Sequence, residues 1–273
     1  MSSDDTRIGI IGIGGRMGQA ILRIVAATPG AVLAGGTERP GSELVGKDPG
    51  PLAGLAVTGT AIEGDAARLF AEADAVIDFS SPAVLASHAA LAAQAKTAYI
   101  VGMTGLEDQH FDALRKAARH CCVVQSFNMS LGVNLLAGLV RQVAASLGDD
   151  WDIEIVEMHH RMKVDAPSGT AIMFGEAAAA GRGVTLKDVT DSGRDGITGA
   201  RQAGAIGFAA LRGGNVAGEH TVIFAADNER LELTHKATDR SIFARGAVRC
   251  ALWSRGRAPG LYNMNDVLGL KQA

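Results

Sequence analysis

The stretch Ile8-Gly9-Ile10-Ile11-Gly12-Ile13-Gly14-Gly15-Arg16-Met17-Gly18 joins an apolar run to a helical one through a glycine-rich turn. Residues 7–11 read as a short apolar strand. Residues 17–28 read as a helix, with Ile21, Ile24 and Val25 on one face and Thr28-Pro29-Gly30 ending it. A glycine-rich turn between a strand and a helix is what a dinucleotide site needs. The chain must turn tightly, its backbone must approach a pyrophosphate, and the helix must pack closely on the sheet. The pyrophosphate then rests at the positive end of the helix. The spacing departs from G-x-G-x-x-G, because Met17 fills the slot of the final glycine and Gly18 follows it.

Further along the chain, residues 31–36, 75–79, 98–102 and 122–126 read as short apolar strands. Residues 82–96 and 109–120 read as helices between them. Apolar strands alternating with helices indicate a doubly wound parallel sheet covered on both faces, a Rossmann-like α/β fold. An acid that recognises ribose is expected about 20 residues after the glycine turn, and Glu38 stands there, followed by Arg39. The carboxylate suits a ribose diol and so NADH, while the guanidinium suits a 2′-phosphate and so NADPH. Gly102, Met103 and Thr104, with Ser126, Phe127, Asn128 and Met129, follow later strands and should lie at the same sheet edge.

The pattern changes near residue 130. After a helix over residues 131–147, residues 151–158, 205–212, 220–226 and 231–236 alternate polar and apolar, with Asp227-Asn228-Glu229 as a hairpin turn. Period two suggests an inserted α+β domain with an open mixed, mainly antiparallel sheet. Residues 240–253 return to helix, and the glycine-rich residues 181–204 read as a long loop. The expected organisation is a dinucleotide-binding domain over residues 1–130, with the tail 241–273 packing back on it. Residues 131–240 form a second domain for substrate and oligomerisation.

The densest polar run is Glu157-Met158-His159-His160-Arg161-Met162-Lys163-Val164-Asp165-Ala166-Pro167-Ser168-Gly169-Thr170. Its histidines, arginine and lysine make a local positive site that suits an anionic substrate. Ser168 reads as a helix N-cap, and the N–H groups of Gly169 and Thr170 suit a carboxylate. A histidine there can move a proton near neutral pH. An isolated histidine pair is more often a surface pair; the neighbouring Lys163 and capped helix favour function. His88, His110 and His120 read as solvated helix residues, and His220 and His235 fall on strands.

The bulk composition bounds the rest. The chain has 273 residues and a formal net charge of -3, which gives no pull toward nucleic acid or an anionic membrane. No stretch approaches the ~20 apolar residues of a membrane span, and the polar start does not read as a signal peptide. The three cysteines, Cys121, Cys122 and Cys250, form no Cys-x-x-Cys. His-Glu-x-x-His is absent too, so no metal site is expected. These features point to a reducing cytoplasm.

Taken together, residues 12–18, Glu38-Arg39, residues 102–105 and above all residues 157–170 resemble the 4-hydroxy-tetrahydrodipicolinate reductase (dihydrodipicolinate reductase) family. The resemblance extends to residues 218–221, 233–237 and 265–268. It implies hydride transfer from NADH and/or NADPH to a small cyclic dicarboxylate imine in lysine and diaminopimelate biosynthesis. By motif position it implies His159 as proton donor/acceptor and Lys163 as second proton donor. His160, Gly169 and Thr170 would bind substrate carboxylates, beside the capping Ser168. Gly12, Ile13, Gly14, Gly15, Arg16, Met17, Glu38 and Arg39 would bind the cofactor, as would residues 102–104 and 126–129. The resemblance also implies a homotetramer assembled through the sheets of the second domain. Two positions depart from the family pattern: Ser80-Ser81 stands where a basic residue is frequent, and Met103 where threonine is commoner. The first weakens adenine or 2′-phosphate contacts; the second removes one cofactor hydrogen bond or leaves it to backbone. Two other readings remain open at this point. One is a different Rossmann reductase acting on an amino-acid semialdehyde, and the other a non-catalytic nicotinamide redox sensor.

Overall fold

The computed structural model describes residues 5–270. In chain order the elements are β1 (Thr6–Ile11), α1 (Arg16–Ala27), β2 (Ala31–Thr37), α2 (Pro49–Leu52), α3 (Ala66–Glu72), β3 (Ala75–Asp78) and α4 (Pro82–Ala95). Then come β4 (Ala98–Val101), α5 (Asp108–Ala117), β5 (Cys122–Gln125), α6 (Leu131–Ser146), β6 (Asp152–His159) and α7 (Gly169–Arg182). The chain continues through α8 (Leu186–Val189), β7 (Thr190–Ser192), β8 (Ile206–Arg212), β9 (Gly218–Ala225) and β10 (Arg230–Ala237). It ends with α9 (Ser241–Trp253), β11 (Gly260–Tyr262) and α10 (Met264–Leu268). The chain divides into two compact units, one up to Ser130 and again from Ser241, the other Leu131–Arg240.

The first unit holds a six-stranded sheet in the order β11-β5-β4-β3-β1-β2, parallel throughout. Alternation along its strands sends side chains to both faces. Val76, Tyr99, Val101 and Val123 join one cluster with Leu69, Phe70, Leu85 and Leu114 of α3, α4 and α5. Their neighbours Ile10, Ile77, Ile100 and Val124 point the other way and are equally buried. On that second side α9 packs against β1, β3, β4 and α1. Burying each such Ile or Val contributes about 1.5–3 kcal/mol, which explains the near-continuous apolar strands. All three cysteines lie buried as free thiols. Burial pushes the Cys121 thiol up to about 11 and those of Cys122 and Cys250 to about 12, so they pack as apolar groups.

The second unit holds a five-stranded sheet in the order β10-β9-β6-β8-β7. The sheet is open and mixed, as expected, with antiparallel pairing the larger share. β10–β9 and β9–β6 are antiparallel, but β6–β8 and β8–β7 are parallel. The run from α7 through β7 is the crossover that parallel pairing requires. Residues 181–204, read as loop, in fact contain the end of α7, then α8 and β7. The segment after β7 is pinned by ion pairs: Arg194 to Asp191 at 2.7 Å and Glu154 at 2.7 Å, and Arg201 to Asp152 at 2.6 Å and Glu154 at 2.8 Å. The core lies where Ile153, Ile155, Ile206, Val222 and Phe224 meet Val133, Val140, Phe174 and Ala178 of α6 and α7.

Candidate active site

In the first unit, the expected cofactor residues all follow carboxyl ends of parallel strands. Gly12 takes a positive φ of 68°, and the N–H groups of Gly12 and Ile13 both donate to Thr37 O. Gly15 caps α1, so the helix starts at Arg16. A Cβ on Gly18 would fall 2.2 Å from Gly12 O and 2.6 Å from Ile13 Cα. Gly18 therefore performs the close helix–strand packing of the displaced final glycine, and Met17 is tolerated in its slot. The Gly14 N–H donates to Glu38 Oε1 at 2.9 Å, which brings the acid at the end of β2 onto the turn. The cradle of missing Cβ atoms, the positive end of α1 and the adjoining carboxylate fit a nicotinamide dinucleotide.

The remaining first-unit residues differ in what they can offer. Arg16, Arg39 and Thr104 are exposed, and Met17 is half-buried. Ile13, Met103 and Met129 are buried, Met103 within the core, so only their backbone can face a ligand. A Cβ at Gly102 would meet the Phe79 ring at 2.3 Å. Ser126 Oγ donates to Asn128 O at 2.7 Å, and Phe127 stands exposed beside Phe111. The expected basic residue after β3 is replaced by serines with structural work: Ser81 caps α4, and Ser80 donates twice to Asp78.

His88 is not solvated as expected; its Nδ1 lies 2.7 Å from the fully buried Asp78. Tyr99 OH donates to the same carboxylate at 2.8 Å. Burial, reinforced by Asp78, pushes the Tyr99 phenol well above its usual range, so it remains a donor. His110 Nδ1 accepts from Glu107 N and completes a capping box, while His120 lies exposed beyond the end of α5.

In the second unit, the buried face of β6 reads Ile153, Ile155, Glu157, His159. The face is apolar in the core and turns polar at the strand's carboxyl end. Cross-strand register continues the change: Ile155 opposes Val222 on β9, Glu157 opposes His220, and His159 opposes Arg212 on β8. His159 Nδ1 lies 2.6 Å from Glu157 Oε2. Arg212 grips both Glu157 oxygens, at 2.7 and 2.8 Å, and also donates to Asp165 O at 2.6 Å. Burial alone would raise the Glu157 carboxyl, but hydrogen bonds from Arg212 and His159 outweigh it and hold it below the usual range.

Ser168 is the expected N-cap: its Oγ accepts from Ala171 N at 3.1 Å and lies 2.9 Å from His220 Nε2. Its N–H donates to Glu157 Oε1 at 3.1 Å. Gly169 and Thr170 open α7, with nothing within 4 Å of a Cβ placed on Gly169. A Cβ on Gly218 would fall 3.0 Å from His159 Nε2, so glycine there leaves that nitrogen room. His160, on the other side of the chain, is half-buried and donates its N–H to Val216 O. Lys163 Nζ donates to both oxygens of Asp165 at 2.8 Å, which holds the Asp165 carboxyl below its usual range. His220 is buried at 4% exposure with its ring 5.1 Å from that of His159. Burial first, and the facing His159 second, push it down to about 4. His235 lies opposite His220 on β10.

Glu157, Arg212 and His220 had no assigned role from sequence. The signal that finds Glu157 and His220 is the period-two alternation itself, which carries Ile153 and Ile155 on to Glu157 and His159, and Phe224 and Val222 back to His220.

These two constellations define an α/β dinucleotide-dependent enzyme with an acid–base site suited to an anion. The chain belongs to the dihydrodipicolinate reductase family: residues 6–129 match its N-terminal part and residues 132–268 its C-terminal part. A 4-hydroxy-tetrahydrodipicolinate reductase of Parvibaculum lavamentivorans is 58% identical over 268 residues, covering 98% of this chain and 99% of that protein. One from Cereibacter sphaeroides is 56% identical over 268 residues, covering 98% of this chain and all of that protein. The fold is also that of a dipicolinate-bound dihydrodipicolinate reductase from Paenisporosarcina sp. TG-14, with a TM-score of 0.76 at 22% identity over 95% of this chain and 97% of that one.

Proposed function

We propose that this chain reduces 4-hydroxy-tetrahydrodipicolinate to tetrahydrodipicolinate with NADH or NADPH, in lysine and diaminopimelate biosynthesis. The observation that carries the reading is the end of β6. There an imidazole backed by a buried carboxylate sits beside a lysine loop and a capped helix N-terminus. The relatives that cover almost the whole chain carry the same activity in their names.

The substrate is a cyclic dicarboxylate. Loss of its 4-hydroxyl as water leaves a conjugated imine. When bound, the reduced nicotinamide supplies the hydride that this ring accepts. Hydride addition to the neutral conjugated imine leaves the enamine anion, with its negative charge shared between nitrogen and carbon, and this becomes the neutral product imine by gaining one proton on carbon. His159 Nε2 delivers that proton, and Lys163 serves as a second donor. The ammonium of Lys163, His160 and the N–H groups of Gly169 and Thr170 hold the two carboxylates. The cofactor is held by residues 12–17, Glu38, Arg39, residues 102–104 and residues 126–129. Glu38 addresses the ribose diol of NADH and Arg39 the 2′-phosphate of NADPH.

Two finer readings accompany this one. The protein works in the cytoplasm, in keeping with its three free buried cysteines. It acts as a homotetramer, in keeping with Leu211 on β8 at 51% exposure and Leu231 on β10 at 39%. Among the described residues no helix is long and apolar enough to cross a membrane.

The test is His159→Ala and Lys163→Ala, each read for turnover and for cofactor binding. Each should lower kcat at least about 100-fold while the cofactor Kd stays within a factor of about three. Near-normal turnover in both would overturn the assignment.

A further inference from the structure

The geometry points to Glu157 and Arg212 as a positioning pair that fixes which nitrogen of His159 exchanges the proton. It also locks that imidazole to the helix N-terminus. The inference rests on the catalytic reading of His159 given above.

Hydrogen-bond inventory decides the tautomer. Glu157 Oε1 receives the Ser168 N–H at 3.1 Å and Arg212 Nη2 at 2.8 Å, and Oε2 receives Arg212 Nη1 at 2.7 Å. All three partners are donors, so Glu157 is an ionised acceptor. His159 Nδ1, 2.6 Å from Oε2, must then be a donor too. Nε2 is left as the titrating atom, with the room that Gly218 provides. In the proton step the Nε2–H bond of the imidazolium breaks as the substrate C–H bond forms. The imidazole is left neutral with Nδ1–H still on Glu157, and Glu157 remains a carboxylate.

The same carboxylate joins two functions. One oxygen orients His159; the other holds the backbone of Ser168, the cap that sets the direction of the Gly169 and Thr170 N–H groups. Arg212 extends the pair to the loop backbone at Asp165, beside Lys163. A displacement of Glu157 therefore moves the proton donor and the carboxylate cradle together. Glu157 and Arg212 do not touch the reacting atoms.

The charge balance around His159 gives the two residues opposite signatures. The charged and titratable groups around His159 and its neighbour His220 are Glu157 on the same strand, Arg212 on β8, His235 opposite His220 on β10, and Lys163 and Asp165 in the loop. Glu157→Gln removes a negative charge, so His159 releases its proton more readily. Arg212→Met removes the positive charge that offsets Glu157, so His159 holds its proton longer.

The experiment is an NMR titration of ring-labelled histidine in the full-length protein, beside the pH profile of kcat/KM. In the unaltered protein neutral His159 should carry its proton on Nδ1. Its titration and the matching limb of the profile should move down by about one pH unit in Glu157→Gln and up by about one in Arg212→Met. Glu157→Asp, which keeps the charge, should restore much of the unaltered midpoint. Thermal unfolding of each variant identifies those that fail to fold, and the tautomer is read in the unaltered protein regardless. Neutral His159 protonated on Nε2, or shifts of the same sign in both variants, would overturn the inference. If the ring titrates as described but the rate profile does not follow it, the positioning pair stands and the catalytic role of His159 falls.

Discussion

His220 makes the second unit acid-sensitive in a way that can be calculated. Its imidazole is pushed from 6.5 to about 4 by burial against Phe174 and His159. The unfolded chain therefore binds a proton that the folded chain refuses, and stability falls as pH drops through the window from 6.5 toward 4. Linkage gives a loss of about 2.5 kcal/mol between about pH 7.5 and about 4.5 from this group alone. Glu157, Asp74 and Asp165 are shifted the other way, so their losses come below the ordinary carboxylate range and barely enter this window. The assay is denaturant unfolding at several pH values in a Trp253→Phe background, so that Trp151 reports the second unit. His220→Gln keeps a polar group near Ser168 Oγ but cannot titrate. Its stability should start lower at neutral pH and fall by about 2.5 kcal/mol less on acidification. Parallel pH curves for the two proteins would refute the reasoning.

Two further perturbations test the first unit. Gly18→Ala puts a Cβ 2.2 Å from Gly12 O, a backbone atom that cannot move aside, so unfolding should show a loss of about 1–3 kcal/mol and cofactor titration at least about tenfold weaker binding. Glu38→Ala should weaken NADH about tenfold and Arg39→Ala should weaken NADPH by a similar factor; calorimetric titration of both cofactors against both variants reads the contrast, and equal effects on the two cofactors would remove these residues from discrimination.

The parallel sheet was legible because its strands are buried on both faces, which writes short apolar runs into the sequence around the glycine turn. The direction of β8 was not. Its alternation reports that one face is covered but carries nothing about which way the strand runs, and the parallel pairing with β6 follows from the α7 crossover. The elements α8 and β7 carry no sequence signal because Leu186-Lys187-Asp188-Val189 and Thr190-Asp191-Ser192 are too short and polar to show a period. Ion pairs of Arg194 and Arg201 hold that region instead, and ion pairs leave no periodic trace. The His159–Thr170 run was legible by its density of charge and its helix cap. Glu157, Arg212 and His220 converge from three strands, and only the strand register brings them together. The Asp78–His88 pair is hidden in the sequence for a related reason: a histidine on an alanine-rich helix reads as solvated, and only the fold brings a buried carboxylate to face it.

The most direct measurement is the absorbance of reduced nicotinamide when the purified protein meets 4-hydroxy-tetrahydrodipicolinate formed in a coupled assay. The expected result is stoichiometric loss of that absorbance, abolished in His159→Ala although the cofactor still binds. Cofactor that binds but is not oxidised with this substrate, or is oxidised instead with an amino-acid semialdehyde, would contradict the assignment.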